Sequence, residues 1–263
     1  MRFVVVTKQV PDTAEVRIDE ERGTLIREGV PSIMNPFDAY ALEEALRWRD
    51  GLGGEVVVMT MGPPQAEEIL REAVSMGADS AILLSDRAFA GADTWATSHT
   101  LAAAVRKLGD VDMVLAGKQA IDGDTAQTGP SIAASLDWPQ ITFVGEVKEL
   151  DEERIVARRE VEGGYETVAS SLPVVLTVLK DANTPRLPSL RGKMKARKAE
   201  IPTWGLADLE LDEEQVGLEG SPTRVVRIAT PEGRSSAGEV HHAEPEELAR
   251  LLADYLTGEG AQG

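Results

Sequence analysis

Short apolar runs of strand length alternate with longer amphipathic runs through the first half of the chain. Residues 3–7, Phe-Val-Val-Val-Thr, read as a buried strand. Residues 38–49 place Ala41, Leu42, Ala45, Leu46 and Trp48 on a broad helical stripe, and the glycines of 51–54 end that helix. Further strands are predicted at 55–61, 81–84 and 113–116, and further helices at 64–76, 93–108 and 125–136. Gly77 closes the second helix, and Asp93 or Thr94 is a suitable N-cap for the third. This order predicts an α/β fold, a parallel twisted sheet with helices on both faces. Right-handed crossovers then bring the loops at 8–12, 61–64, 85–92 and 117–124 to one sheet edge, where such folds bind ligands.

The pattern changes after residue 140. Residues 155–160 and 166–170 alternate in the strand manner around Glu162-Gly163-Gly164, which predicts an antiparallel hairpin. Residues 172–179 form another apolar strand. Residues 183–200 contain Pro185 and Pro188, lack apolar periodicity, and carry Arg186, Arg191, Lys193, Lys195, Arg197 and Lys198. They read as a protruding loop or arm, a basic island in an acidic protein. An acidic stretch at 208–214 precedes a segment of strand character at 221–228, and a final helix at 245–256 has Pro245 in its first turn.

Composition narrows the function classes. The chain has 263 residues, 42% of them apolar, enough for a sizeable core. Its 27 basic and 45 acidic residues leave a net charge of −18, which repels nucleic acid and anionic membranes. An anionic ligand remains admissible, because backbone N–H groups bind phosphate without basic side chains. The absence of cysteine excludes disulfides, Cys-ligated metal clusters and thiol catalysis. The N-terminal apolar run is too short for a signal peptide and no later run has the length of a membrane span, so a cytoplasmic location is expected.

Three segments carry candidate chemistry. Residues 117–130, Gly-Lys-Gln-Ala-Ile-Asp-Gly-Asp-Thr-Ala-Gln-Thr-Gly-Pro, follow a strand and open a helix. Gly123 and Gly129 permit close backbone approach, and Thr125, Gln127 and Thr128 offer hydrogen bonds where a helix leaves N–H groups unpaired. That suits a phosphate. A ligand-free strand-to-helix turn accounts for the same residues equally well, since neither a P-loop nor a Gly-x-Gly-x-x-Gly fingerprint is present. In residues 32–38, Asn35 precedes Pro36 and its amide suits an adenine or ribose edge, although plain helix capping explains it better. In residues 85–97, Asp93, Thr94 and Thr97 would line the same edge, or merely cap a helix. Catalytic constellations are missing. His99 reads as a helix residue, His241 and His242 lack metal-ligand spacing, and Glu20-Glu21 and residues 212–214 read as solvated faces.

Taken together, residues 2–12, 34–44, 77–79, 117–129 and 157–177 resemble the beta subunit of electron-transfer flavoproteins. Residues 157–177, Ala-Arg-Arg-Glu-Val-Glu-Gly-Gly-Tyr-Glu-Thr-Val-Ala-Ser-Ser-Leu-Pro-Val-Val-Leu-Thr, fit that family's pattern throughout. Pro185-Arg186, Leu190 and residues 194–198 resemble its partner-recognition loop. The resemblance implies a Rossmann-like, adenine-nucleotide-binding domain over 1–182, a recognition arm over 183–200, and a tail over 201–263 that packs on a larger alpha subunit. It also implies a heterodimer that relays electrons between dehydrogenases and quinone or low-potential acceptors. Partners would be an acyl-CoA dehydrogenase or a quinone oxidoreductase.

Conventional members bind a structural AMP, whereas electron-bifurcating members bind the adenylate half of a second FAD, with NADH as donor. Residues 122–127, 61–68 and 86–94 resemble the bifurcating subgroup, although Trp95 departs from the small or aliphatic residue expected there. The implied phosphate cradle is Gly123, Thr125, Gln127, Thr128, Gly129 and Ser131, with Asp122 and Asp124 of the same loop also among the implied cofactor-binding residues. The implied adenosine contacts are Val6, Asn35, Asp38 and Met61, and the flavin-side contacts are Asp93, Thr94 and Thr97. Leu187 and Leu190 would anchor the partner, with Arg191, Lys193 and Lys195 around them. A stand-alone adenine-nucleotide sensor, or a hydrolase using Asp122 and Asp124, are the competing expectations.

Overall fold

The computed structural model describes residues 1–12, 17–19, 24–26, 31–224 and 241–257, with 17–19 and 24–26 described for their backbone alone. The chain divides into two compact units, Met1–Val226 and Arg227–Gly263.

The first unit begins with β1 (Arg2–Thr7), β2 (Gln9–Pro11), β3 (Arg17–Asp19), β4 (Thr24–Ile26) and β5 (Ser32–Met34). It continues with α1 (Pro36–Leu52), β6 (Glu55–Met61), α2 (Glu67–Met76), β7 (Ser80–Leu84), α3 (Thr94–Leu108), β8 (Met113–Gly117) and α4 (Thr128–Leu136). Then come β9 (Gln140–Leu150), β10 (Arg154–Val161), β11 (Gly164–Ser171), β12 (Val174–Val178), α5 (Leu190–Lys198) and β13 (Thr203–Trp204). Among the described residues, one sheet has the order β11-β10-β9-β12-β8-β1-β6-β7-β13. Neighbours from β9 through β13 pair in parallel, and β9, β10 and β11 form an antiparallel meander. The fold is the expected α/β sheet with helices on both sides.

The central strands are buried on both faces, so they are continuously apolar rather than alternating. Successive residues nevertheless enter different layers. Phe3, Val5, Val56, Val58 and Leu115 pack with Leu42, Leu46, Ile69 and Leu70 of α1 and α2. Val4, Val6, Val57, Met59 and Val114 pack with Leu101, Val105 and Ile132 of α3 and α4.

Several sequence expectations are corrected. The strand β9 was not foreseen, because its exposed positions, Gln140, Glu146, Lys148 and Glu149, are all polar; it pairs first with β12 and then bends into β10. Phe143 takes a left-handed φ of 58° at that bend, and its N–H donates to Thr177 Oγ1 at 2.9 Å. The segment 183–200 is not a bare loop, since it contains α5. Ser189 caps this helix by accepting the Gly192 N–H at 2.9 Å, and Ala196 buries its methyl group in the core. The helix predicted from 125 starts at Thr128, because Asp124 and Ala126 adopt left-handed φ values of 48° and 54°. Residues 8–12 are partly a ribbon, with β2 antiparallel to β5. Ser221–Arg224 form no strand, and 225–228 lie outside the described residues, as do Glu20 and Glu21.

The second unit contains α6 (Pro245–Thr257), as the sequence predicts. Leu248, Leu251, Leu252, Tyr255 and Leu256 are exposed on it. Among the described residues no helix is long and apolar enough to cross a membrane.

Leu42 is fully buried where α1 meets the sheet. Leu42→Ala removes buried methyl groups and leaves a cavity, so it lowers stability by about 3 kcal/mol in urea denaturation. A loss below about 1 kcal/mol would contradict this packing.

Candidate functional site

The carboxyl ends of β1 and β8 lie side by side, and the chain leaves β8 through the loop 118–127 into α4. Nothing in that loop is regular, so its shape depends on what holds it.

The first turn of α1 supplies most of the hold. Asp38 is 5% exposed. Its Oδ2 accepts the Lys8 backbone N–H at 2.8 Å and its Oδ1 the Gly117 N–H at 3.1 Å. One carboxylate therefore joins the ends of two neighbouring strands. Position 117 must be glycine, because a Cβ there would strike Asp38 Oδ1 and the Phe37 backbone. Asn35 is 1% exposed. Its Nδ2 donates to the Gln119 carbonyl at 2.8 Å and its Oδ1 accepts the Ile121 N–H at 3.2 Å.

Other elements complete the loop. Lys118 N–H donates to the Val178 carbonyl at 2.9 Å, and the Lys118 ammonium stands 5.3 Å from the Phe143 ring centre. Lys8 Nζ pairs with Asp122 Oδ1 at 2.7 Å. Gly129 lies against the Thr177 methyl, where a Cβ would collide. On the far side Thr94 Oγ1 reaches Thr125 Oγ1 at 3.4 Å.

The result presents unpaired donors. No side chain caps α4. A helix leaves its first N–H groups without intrahelical partners, here including those of Thr128 and Gly129. Just before them Ala126 is left-handed and Gln127 right-handed, an alternation of the kind found in anion-binding nests, although the Gln127 N–H itself donates weakly to Thr125 Oγ1 at 3.5 Å. Left-handed Asp124 and Ala126 are unfavourable without glycine, and such strain concentrates at ligand sites. Gly123 stays open, with only Lys8 Nζ at 3.8 Å from where its Cβ would stand. The helix dipole adds a partial positive charge. A phosphate group fits this arrangement.

Residues 22–209 match the electron transfer flavoprotein domain. The chain belongs to the electron transfer flavoprotein family. It is 51% identical over 257 residues to the caffeyl-CoA reductase-Etf complex subunit CarD of Acetobacterium woodii, covering 97% of this chain and 98% of that one. It is 51% identical over 259 residues to the electron transfer flavoprotein subunit beta of Clostridium acetobutylicum, covering 98% and 99%. It is 45% identical over 267 residues to protein FixA of Azotobacter vinelandii, covering 98% and 95%. The family and these beta-subunit relatives give this chain a role in electron transfer.

The residues singled out from the sequence as cofactor contacts fall into four groups. Asp122, Gly123, Asp124, Thr125, Gln127, Thr128, Gly129 and Ser131 share the loop and the first turn of α4. Asp93, Thr94 and Thr97 share the start of α3, joined to the loop through the Thr94–Thr125 contact. Asp93 accepts the Ala96 N–H at 3.0 Å and holds Thr223 through its backbone N–H and hydroxyl. Burial works against its charge, but these hydrogen bonds prevail and keep its carboxyl below the ordinary value. Val6 is buried among the strands, with Met61 partly buried against the same layer, so both underlie the edge. Asn35 and Asp38 turn their polar atoms to the backbone of the loop. Lys8 and Thr177 were not singled out; both lie in segments that carry the family resemblance, but only their contacts reveal their part in the loop. Among the described residues no group of three His, Asp or Glu could hold a metal.

Asp38 has a pKa raised from 3.8 to about 7. Burial is the cause; hydrogen bonds from Asn35, Lys8 and Gly117 and the Lys8 charge oppose it. The folded state thus binds more protons here than the unfolded state, so the stabilisation is full below pH 3.8 and is lost as pH rises through about 7. Urea denaturation across this interval should show wild type losing stability relative to Asp38→Asn as pH rises. Parallel pH profiles would contradict the burial of that carboxyl.

Proposed function

We propose that this chain is the nucleotide-binding subunit of a heterodimeric electron-transfer flavoprotein, and that the α4 N-terminus with its preceding loop holds the phosphates of FAD. The observation that carries the reading is the uncapped first turn of α4, led by the left-handed Asp124 and Ala126. Gly123, Thr125, Gln127, Thr128, Gly129 and Ser131 would bind the phosphates through N–H groups and hydroxyls. The anion is then held without a cationic side chain, which suits a surface of net charge −18. Asp122 and Asp124 shape the loop, Asp122 through its ion pair with Lys8.

FAD is preferred to AMP because the site does not end at the phosphate loop. Thr94 borders Thr125, and the first turn of α3 extends a polar rim over Asp93, Thr94 and Thr97. A flavin dinucleotide has further groups to place there, and AMP does not. Val6 and Met61 would floor the adenosine end. The bound flavin supplies the electron-carrying chemistry, while the chain binds and orients it. NADH is the proposed donor and electron bifurcation the proposed mode, resting on the resemblance of residues 122–127 to that subgroup. The complex is proposed to act in the cytoplasm, serving an acyl-CoA dehydrogenase or quinone oxidoreductase. The exposed apolar residues of α6 are assigned to contact with the alpha subunit.

Absorbance and mass analysis of the purified, denatured alpha–beta complex tests the occupant. Two FAD per heterodimer is the expected result. One FAD and one AMP would overturn FAD at this site in favour of structural AMP, and a single FAD without AMP would overturn the nucleotide site altogether.

A further inference from the structure

The arm around α5 is fastened at both ends and bare in the middle. At its near end, Arg186 meets two carboxylates of α1. Its backbone N–H and Nε donate to Glu43 Oε2 at 3.0 and 2.8 Å, and Nη2 donates to Glu43 Oε1 at 3.1 Å. Nη1 donates to Asp50 Oδ2 at 2.9 Å. The Glu43 side chain is 7% exposed, so the pair is shielded from water on one side. Hydrogen bonding to Glu43, above all, strengthens the proton's hold on the guanidinium. Asn183 adds Nδ2 bonds to the Tyr40 carbonyl at 3.0 Å and Glu44 Oε2 at 2.9 Å.

At its far end, α5 lies on α2. Gly192 passes so close to the Ser75 carbonyl that a Cβ would collide with it. Lys195 Nζ donates to the Ala78 carbonyl at 2.8 Å, and Arg71 Nη1 to the Ala196 carbonyl at 2.5 Å. Between these fastenings Leu187 is 87% and Leu190 79% exposed. Two bare leucines on a loose loop would have to be ordered by each partner that binds them. Here the frame is built before the partner arrives, which removes that entropic penalty from association.

We infer that Arg186 is the positioning residue of the arm: clamped between Glu43 and Asp50, it presents Leu187 and Leu190 to a redox partner in a preformed pose. This rests on the reading of the arm as partner-binding. The geometry needs arginine, because a planar fork can engage both Glu43 oxygens while reaching Asp50. A lysine keeps the charge and loses the fork.

The test uses the whole alpha–beta complex and a purified acyl-CoA dehydrogenase that accepts its electrons, with Arg186→Lys, Leu190→Ala and the double variant. Arg186→Lys should raise KM for the dehydrogenase roughly tenfold, equivalent to about 1.4 kcal/mol. The kcat, dye reduction and nucleotide content stay unchanged, and tryptic cleavage within 187–198 accelerates. Because the clamp acts through the anchor, it should add little in the Leu190→Ala background. If Arg186→Lys yields no soluble complex, Glu43→Gln loosens the same clamp and is read in the same way. A normal KM in the clamp variants beside a raised one in Leu190→Ala would overturn the inference and leave the arm reading intact. Fully additive effects would overturn it too. An unchanged KM in Leu190→Ala would remove the arm reading, and the inference with it.

Discussion

Two buried polar side chains at the start of α1, the N-cap Asn35 and Asp38 of the first turn, grip the backbone of the loop that leaves β8. Together they hold Gly117, Gln119 and Ile121, and Asp38 also holds Lys8. Buried polar atoms are tolerated when they are hydrogen-bonded, and losing one partner leaves the other stranded. The loop therefore has few alternatives to the conformation in which it delivers its chain to α4. Its strained residues, Asp124 and Ala126, lie just beyond these fastenings. Strain of that kind persists only where the surroundings over-determine the backbone.

The same helix holds the other functional surface. Glu43 and Glu44 are buried further along α1 and fasten Arg186 and Asn183 of the arm. Asp38 and Asp50 are twelve residues apart, about 18 Å along a helix. One helix packed on the sheet by Leu42 and Leu46 thus fixes the loop before α4 at one end and the arm around α5 towards the other. Helix α1 is amphipathic in an unusual sense: part of its buried face is acidic, and each of those acids has a backbone N–H, a guanidinium or an amide to meet.

The layout of the fold was legible because a two-sided parallel sheet writes its strands as plain apolar runs. Residues 55–61 coincide with β6, and the glycines at 163–164 mark the β10–β11 turn. The arm helix was not legible. Its sequence, Leu-Arg-Gly-Lys-Met-Lys-Ala-Arg-Lys, has no apolar stripe, and α5 is held by a serine cap, a glycine contact and one alanine. The loop 117–129 could be placed at the ligand edge from strand order alone, and its glycines suggested close approach. The division of labour could not be read. Asn35 and Asp38 have the chemistry of nucleotide contacts, yet their hydrogen bonds go to the chain's own backbone. Lys8 and Thr177 support the loop through contacts no local pattern encodes.

The central claim is that α1 presets the loop and that the N-terminus of α4 receives the phosphate. A crystal structure of the alpha–beta complex with its native nucleotide tests it most directly. The account predicts phosphate oxygens at roughly 2.7–3.2 Å from the N–H groups of Thr128 and Gly129. It also predicts that Asn35 still holds Gln119 and Ile121, and Asp38 still holds Gly117. A nucleotide bound away from the start of α4, or an Asn35 amide turned from the loop onto the ligand, would contradict it.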